Sequence, residues 1–247
     1  MTMKRLLIFS LFCAGCATAD DVQELEDKVT ALEAKVEQLS ARPAAAPPGR
    51  GQAPAAADPA KEAEAQALFE AANAAITGGD YDTAKAKLAE LKAGYSATQI
   101  WRRAQKLEAE VAVIGNPAPS SLDVSNWLVG ESVDISGSNP TMLVFFEEWC
   151  PHCKREVPNL INTYNTYKDR GLQVVGLTKV TRRSTDESVA AFLADSNVNY
   201  PVGKESGAIS TQFNVSGIPA AAVVKDGVIV WRGHPARLSN AMIEGWL

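Results

Sequence analysis

Two cysteines set two residues apart, in Trp149-Cys150-Pro151-His152-Cys153, are the side chains whose type and spacing point to chemistry. The apolar run Met142-Leu143-Val144-Phe145-Phe146 just before them reads as a strand buried on both faces of a parallel sheet. The polar stretch after them reads as helix as far as Pro158. Cys150 is therefore expected at the mouth of a helix, where unpaired backbone N–H groups and the helix dipole stabilise a thiolate. Cys153 falls a turn deeper and can close a disulfide with Cys150. In that arrangement the Cys150 thiolate attacks a disulfide sulfur, and Cys153 resolves the mixed disulfide by attacking Cys150. A lone C-x-x-C can also be half of a zinc site, but zinc takes four ligands. The other pair, Cys13 and Cys16, lies in the leader, so no metal is expected. No cofactor is expected beyond the Cys150–Cys153 disulfide itself.

The rest of the chain must carry this site and place it. At 247 residues it suits two modest domains plus linkers, and its formal charge of −5 suggests no nucleic-acid partner. Residues 1–19 read as an export leader, with Lys4 and Arg5, a short apolar core from Leu6 to Phe12, then small residues. Cys13-Ala14-Gly15-Cys16 resembles a bacterial lipobox, which would lipidate Cys16 and tether the protein to a membrane. Ala17-Thr18-Ala19 offers a competing A-x-A cleavage and a soluble product. The lipoprotein is the favoured route, with Ala17 resembling the outer-membrane type, and either route leaves Cys150 and Cys153 as the only free thiols.

Residues 20–41 carry Val22, Leu25, Val29, Leu32, Val36 and Leu39 alternately three and four apart. This is a heptad seam with Val at a and Leu at d, and Lys28 at g faces Glu33 at e of a neighbour. A homodimer or homotrimer through residues 22–39 is expected, against a plain amphipathic helix packed on the body of the protein. Residues 42–60, rich in Pro, Ala and Gly, should be an extended linker. Residues 61–115 read as three helices, marked by Phe69, Ala72 and Ile76, by Ala84, Leu88 and Leu91, and by Trp101, Leu107 and Val111. Gly78-Gly79 ends the first, and Asp80 or Asp82 caps the second. The first two resemble a single tetratricopeptide-type hairpin, a module that spaces or docks the redox domain or offers a peptide groove.

Residues 116–247 open at Asn116-Pro117-Ala118-Pro119. An early strand and turn is expected over 127–135, a second parallel strand over 172–177, a helix over 184–194 and a closing helix over 238–246. Between the last two, 220–224 and 228–231 form a hairpin across Asp226-Gly227.

Several of these residues together carry a family resemblance. Trp149 to Cys153, the following Lys154-Arg155-Glu156-Val157-Pro158, the late Gly217-Ile218-Pro219 and the hairpin from Lys225 to Gly233 resemble the extracytoplasmic TlpA/ResA-like thiol-disulfide oxidoreductases. The resemblance implies an α/β thioredoxin fold for the C-terminal half, behind an all-α helical module, a Pro/Ala-rich linker and a coiled-coil helix. It implies an enzyme of the cell envelope, on the periplasmic side, acting on a protein disulfide and exchanging electrons with a redox partner protein. Glu156 matches the buried acid of ResA-like reductases, which handles the proton of the dithiol. Pro219 resembles the cis-proline that faces the dithiol and leaves the Ile218 backbone free to pair with substrate. Trp149 would shield one side of the disulfide.

The direction of electron flow turns on neighbours of opposite effect. Pro151-His152 is the dipeptide of the oxidant DsbA, and a protonated His152 would favour the Cys150 thiolate. Glu147 and Glu148, where the family more often has small or neutral residues, oppose a thiolate. Reduction of protein disulfides is the first expectation, and DsbA-like oxidation or isomerisation the second. A scaffold lipoprotein with a passenger redox domain is the reading from a different class. A peroxidase ranks third among the catalytic readings, because Glu147 stands where peroxiredoxins carry threonine. His234 is expected in an exposed loop without a role.

Overall fold

The computed structural model describes residues 19–40, 58–181 and 183–247. The leader with Cys16 and most of the linker lie outside the described residues, and so do the readings made on them. The chain divides into two units, at 1–56 and 57–247. In the first, α1 (Ala19–Ser40) is one continuous helix of 22 residues. Val29 and Leu32, the central a and d positions of the heptad seam, are 49% and 62% exposed.

The second unit begins with three helices, α2 (Pro59–Thr77), α3 (Tyr81–Tyr95) and α4 (Gln99–Ala112). Each starts on a residue suited to hold its first turn. Asp58 accepts from Ala60 N ahead of Pro59, Asp80 from Thr83 N, and Thr98 from Trp101 N. The side chain of Glu62 reaches across from α2 to accept from Gln99 N (2.7 Å) and Ile100 N (3.3 Å). Small residues let the helices approach: Ala65, Ala72, Ala84 and Ala104 are fully buried among Leu88, Leu91, Trp101 and Val111.

This module sits against the sheet domain. Residues 113–118 run along the last strand, with Gly115 N bonded to Ile229 O (2.8 Å) and Ile229 N to Asn116 O (3.0 Å). Lys85 Nζ donates to Ile114 O (2.6 Å), and Asn214 Nδ2 to Ala109 O (3.0 Å). Glu110, buried on α4, pairs with Arg237.

Six strands form one sheet in the order β1-β4-β3-β2-β5-β6. They are β1 (Val124–Val129), β2 (Thr141–Phe146), β3 (Gln173–Thr178), β4 (Val202–Glu205), β5 (Ala220–Lys225) and β6 (Val228–Gly233). The β2, β3 and β4 strands run parallel, while β1, β5 and β6 pair antiparallel. Every residue of β2 is buried, as a central strand covered on both faces must be. Alternation sends Met142, Val144 and Phe146 toward α5 (Pro151–Tyr167), which brings Val157, Leu160 and Tyr167. Leu143 and Phe145 point the other way, into a layer with Val175, Leu177, Ile209 and Phe213. The chain also carries α6 (Asp186–Asp195), α7 (Ala208–Gln212) and α8 (Asn240–Trp246).

Three expectations change here. The helix after the cysteines does not stop at Pro158. It runs on to Tyr167, because the buried positions Val157, Leu160 and Tyr167 outweigh one lost backbone bond. The early strand begins at Val124 rather than Trp127. Strand β4 and helix α7 have no counterpart in the sequence reading. Val202-Gly203-Lys204-Glu205 shows no apolar run, and Gly203 is there because β1 lies so close. A Cβ on Gly203 would fall 2.7 Å from a methyl of Val124. The expected hairpin turns through Asp226 (φ 52°) and Gly227 (φ 71°), the paired left-handed conformations of a tight two-residue turn.

Candidate active site

Cys150 is the N-cap of α5, bracketed by the end of the central strand and the first helical turn. Its N–H donates to Glu147 O (3.1 Å), and its Sγ accepts from Cys153 N (3.4 Å). One of the N–H groups that a helix leaves unpaired at its start thus reaches this sulfur. Across from it the Ile218–Pro219 bond is cis, and Cys150 Sγ lies 3.9 Å from Ile218 O. Both thiols are free and buried, Cys150 4% and Cys153 1% exposed. Burial, and then a hydrogen bond with Cys150, push the Cys153 thiol up to about 12, against a backbone hydrogen bond with Glu147 that pulls it down. The structure therefore brings Cys150, Cys153, Ile218 and Pro219 together, with Trp149 half-buried beside them.

That shift has a consequence for stability. The folded Cys153 thiol holds its proton beyond the ordinary value of 9.0, so between pH 9 and about 12 the folded chain binds more protons than the unfolded one. Stability of the reduced protein is unaffected below pH 9 and falls as pH rises through this window. The disulfide form has no thiol to titrate and should not show that loss. Urea midpoints of the two forms at pH 8 and pH 10.5 check this, and parallel pH dependence would contradict it.

The other expected site residues are placed differently. Glu156 is half-buried, not the sequestered acid beneath the dithiol that the resemblance implied. One turn further along α5 than Cys153, it points to a cavity of about 240 Å3 lined by Met142, Asn159, Leu160, Pro235 and Leu238. Glu156 also holds up the basicity of His234, which burial otherwise lowers. His234 is half-buried rather than exposed, and its Nδ1 caps a short 3-10 turn by accepting from Ala236 N (3.1 Å). His152 is exposed, and the Arg155 guanidinium donates to its Nδ1.

The carboxylates ahead of the motif are the larger surprise. Glu147 and Glu148 are each only 6% exposed. Glu147 Oε2 accepts from Trp149 Nε1 (2.6 Å) and Thr181 Oγ1 (2.9 Å). Glu148 Oε1 accepts from Ser188 Oγ (2.8 Å), while its buried Oε2 has no partner. Arg183 lies over the Trp149 ring at 4.8 Å. Thr181, Arg183 and Ser188 escaped the sequence reading, since only the pairing of Phe146 with Thr178 in the sheet brings the loop after β3 alongside. Among the described residues no group of three or more His, Cys, Asp and Glu side chains is placed to hold a metal ion.

Residues 114–232 match the AhpC/TSA family. This segment, a little under half of the chain, has a thioredoxin fold. The chain is 22% identical over 132 residues to sporulation thiol-disulfide oxidoreductase A of Bacillus subtilis, covering 53% of this chain and 80% of that protein. It is 27% identical over 145 residues to thiol-disulfide oxidoreductase ResA of Bacillus cereus, covering 57% and 80%. Its enzyme class is that of the thiol-disulfide oxidoreductases. Among solved structures, StoA from Bacillus subtilis superposes with a TM-score of 0.41 at 21% identity, covering 51% of this chain and 98% of that one.

Proposed function

We propose that the protein is an exported, membrane-tethered reductase of protein disulfides, acting through Cys150 and Cys153. The observation that carries this reading is the placing of Cys150 Sγ, 3.4 Å from Cys153 N at a helix mouth and 3.9 Å from the Ile218 carbonyl. The exposed Pro151 and His152 leave the approach to Cys150 open from the helix side. An extended substrate segment would lie along Ile218 and present its disulfide to Cys150. The electron donor would be another redox protein of the cell envelope, and the tether a lipid on Cys16.

The reductive direction draws on the buried acids. A dithiol whose thiolates are poorly stabilised gives up electrons more readily; the burial of Cys153 and then the charge of the Glu147 carboxylate work that way, against the backbone hydrogen bond with Glu147. A protonated His152, set between the two cysteines, would work the other way, toward oxidation or isomerisation. The reduction potential of the Cys150/Cys153 couple decides between them. A value near that of thioredoxin, about −270 mV, is expected, and one near that of DsbA, about −120 mV, would reverse the assignment. Insulin reduction by the wild-type protein separates both from a scaffold with a passenger domain, for which no turnover would be seen.

Self-association rests on α1. With Val29 and Leu32 exposed and the seam spaced three and four apart, a second or third copy would bury the stripe. Sedimentation equilibrium is expected to give a dimer or trimer, and L32K, which sets like charges together in the seam, to give a monomer with unchanged redox activity. A wild-type monomer at high micromolar concentration would remove this part of the proposal.

A further inference from the structure

We infer that Arg183 is a specificity-determining residue: it pairs with a carboxylate side chain two or three residues from the substrate's cystine. The site thereby selects protein disulfides that lie in acidic segments. This names the substrate class of the disulfide-exchange site described above and rests on that reading. Trp149 directly precedes Cys150 and packs against the core cluster that holds both cysteines. The Arg183 guanidinium lies over the Trp149 ring, 4.8 Å from its centroid. A guanidinium stacked on an aromatic face keeps its N–H edge open, the geometry that takes a carboxylate through two parallel bonds. Arg183 is exposed, and among the described residues no carboxylate pairs with it.

The wall that carries this cation is fixed from beneath. Glu147 Oε2 accepts from Trp149 Nε1 (2.6 Å) and from Thr181 Oγ1 (2.9 Å), which ties the indole to the loop after β3. Within that loop Ser184 Oγ accepts from Thr181 N (2.9 Å), closing a turn around Arg183. The indole is thus held at one place beside Cys150, and the guanidinium has a fixed face to rest on. Neighbouring α-carbons are about 3.8 Å apart, and an extended segment advances about 3.3 Å per residue. A carboxylate two or three residues from the attacked cysteine therefore has the reach to meet a guanidinium stacked on the residue before Cys150.

The surrounding charges favour an acid and leave Arg183 available for it. Glu147 and Glu148 are buried, the first engaged by Trp149 and Thr181 and the second by Ser188. On α6, Asp186 is held by Lys204 (2.6 Å), and Glu187 is engaged by Thr185. Across Cys150, the segment Val215-Ser216-Gly217-Ile218-Pro219 carries no charge. Lys154 and Arg155, both exposed on α5, extend the positive field along the helix side of the dithiol. Neither is paired with a carboxylate among the described residues. A basic segment is repelled by this field and an acidic one drawn in.

Three disulfide peptides of one length test this, with Glu, Gln or Lys at the second and third positions on both sides of the cysteine. Each is mixed with the reduced wild-type protein, and the single-turnover rate of peptide reduction is followed by chromatography. At low ionic strength the Glu peptide should react about 10-fold faster than the Lys peptide, with the Gln peptide between them. At about 500 mM salt the ratio should fall to about 2-fold, because an exposed pair is screened. R183Q should shrink the low-salt ratio to about 2- or 3-fold, and R183E should erase the preference for the Glu peptide. Both variants should reduce the Gln peptide within about 2-fold of the wild-type rate, which separates recognition from packing. A preference kept intact in R183E, or an equal loss for the Glu and Gln peptides in R183Q, would overturn the assignment. Equal rates for the three peptides with the wild-type protein would remove this inference alone. Reduction of none of them would remove the disulfide-exchange reading and this inference with it.

Discussion

Cys150→Ser will lower protein-disulfide reduction by at least about 1000-fold, the scale expected when a covalent nucleophile is removed. Cys153→Ala will instead stop the reaction after its first half and accumulate a mixed disulfide. The asymmetry comes from position in the fold. Cys150 Sγ sits at the N-cap of α5, where a backbone N–H reaches it at 3.4 Å, and it faces the Ile218 carbonyl. Cys153 is 1% exposed within the helix, and its thiol is pushed up to about 12. A thiol held that high is a poor first nucleophile at neutral pH, since the thiolate is the attacking form. It becomes effective only when Cys150 is already bonded to substrate and lies within reach. A serine hydroxyl in place of Cys150 offers no comparable anion at neutral pH. Insulin turbidity reads the first variant, and a thiol-sensitive gel shift of the second, mixed with a disulfide protein, reads the trapped species. Substantial turnover by Cys150→Ser, or trapping through Cys153 in that variant, would reverse the two roles.

Phe213→Ala will cost about 3–5 kcal/mol of stability, the range for deleting a fully buried aromatic side chain. Phe213 is completely buried at the C-terminal end of α7, its ring 5.7 Å from that of Phe145 on the central strand. It anchors the segment that leads from α7 to Ile218 and Pro219, and its carbonyl accepts from Nε of the buried Arg232 (2.8 Å). Other carbonyls around that guanidinium, those of Asn214, Ala221 and Gly233, also accept from it. A cavity left by Phe213 therefore removes contacts with β2 and loosens the support under an otherwise satisfied buried cation. Urea unfolding followed by tryptophan emission measures the loss, with Leu247→Ala at the exposed terminus as a control expected within about 0.5 kcal/mol of wild type. A loss below about 1 kcal/mol for Phe213→Ala would mean that this layer repacks freely.

Much of the architecture followed from local pattern, and the reasons are physical. Five apolar residues before Cys150 can only be buried on both faces, which made β2 central. Asp226-Gly227 supplies two left-handed conformations, which made the β5–β6 hairpin. Asp80 and Gly79 punctuate the helical module. These signals reside in single residues or in a run of a few, so no distant partner is needed to read them.

The sequence by itself determined the dithiol, the strand and helix that frame it, and the segment that carries Ile218 and Pro219. Tertiary structure alone decided which charges act on that dithiol. Glu147 and Glu148 read in the chain only as carboxylates that oppose a thiolate, and they are buried because β2 runs into the sheet interior beside Thr181 and Ser188, 34 and 40 residues away. Glu156 looks like the sequestered acid, yet the turn of α5 carries it to a half-buried position. The spacing of atoms along a chain fixes what a sulfur can do. The field it works in is set by groups that become neighbours only when the sheet closes.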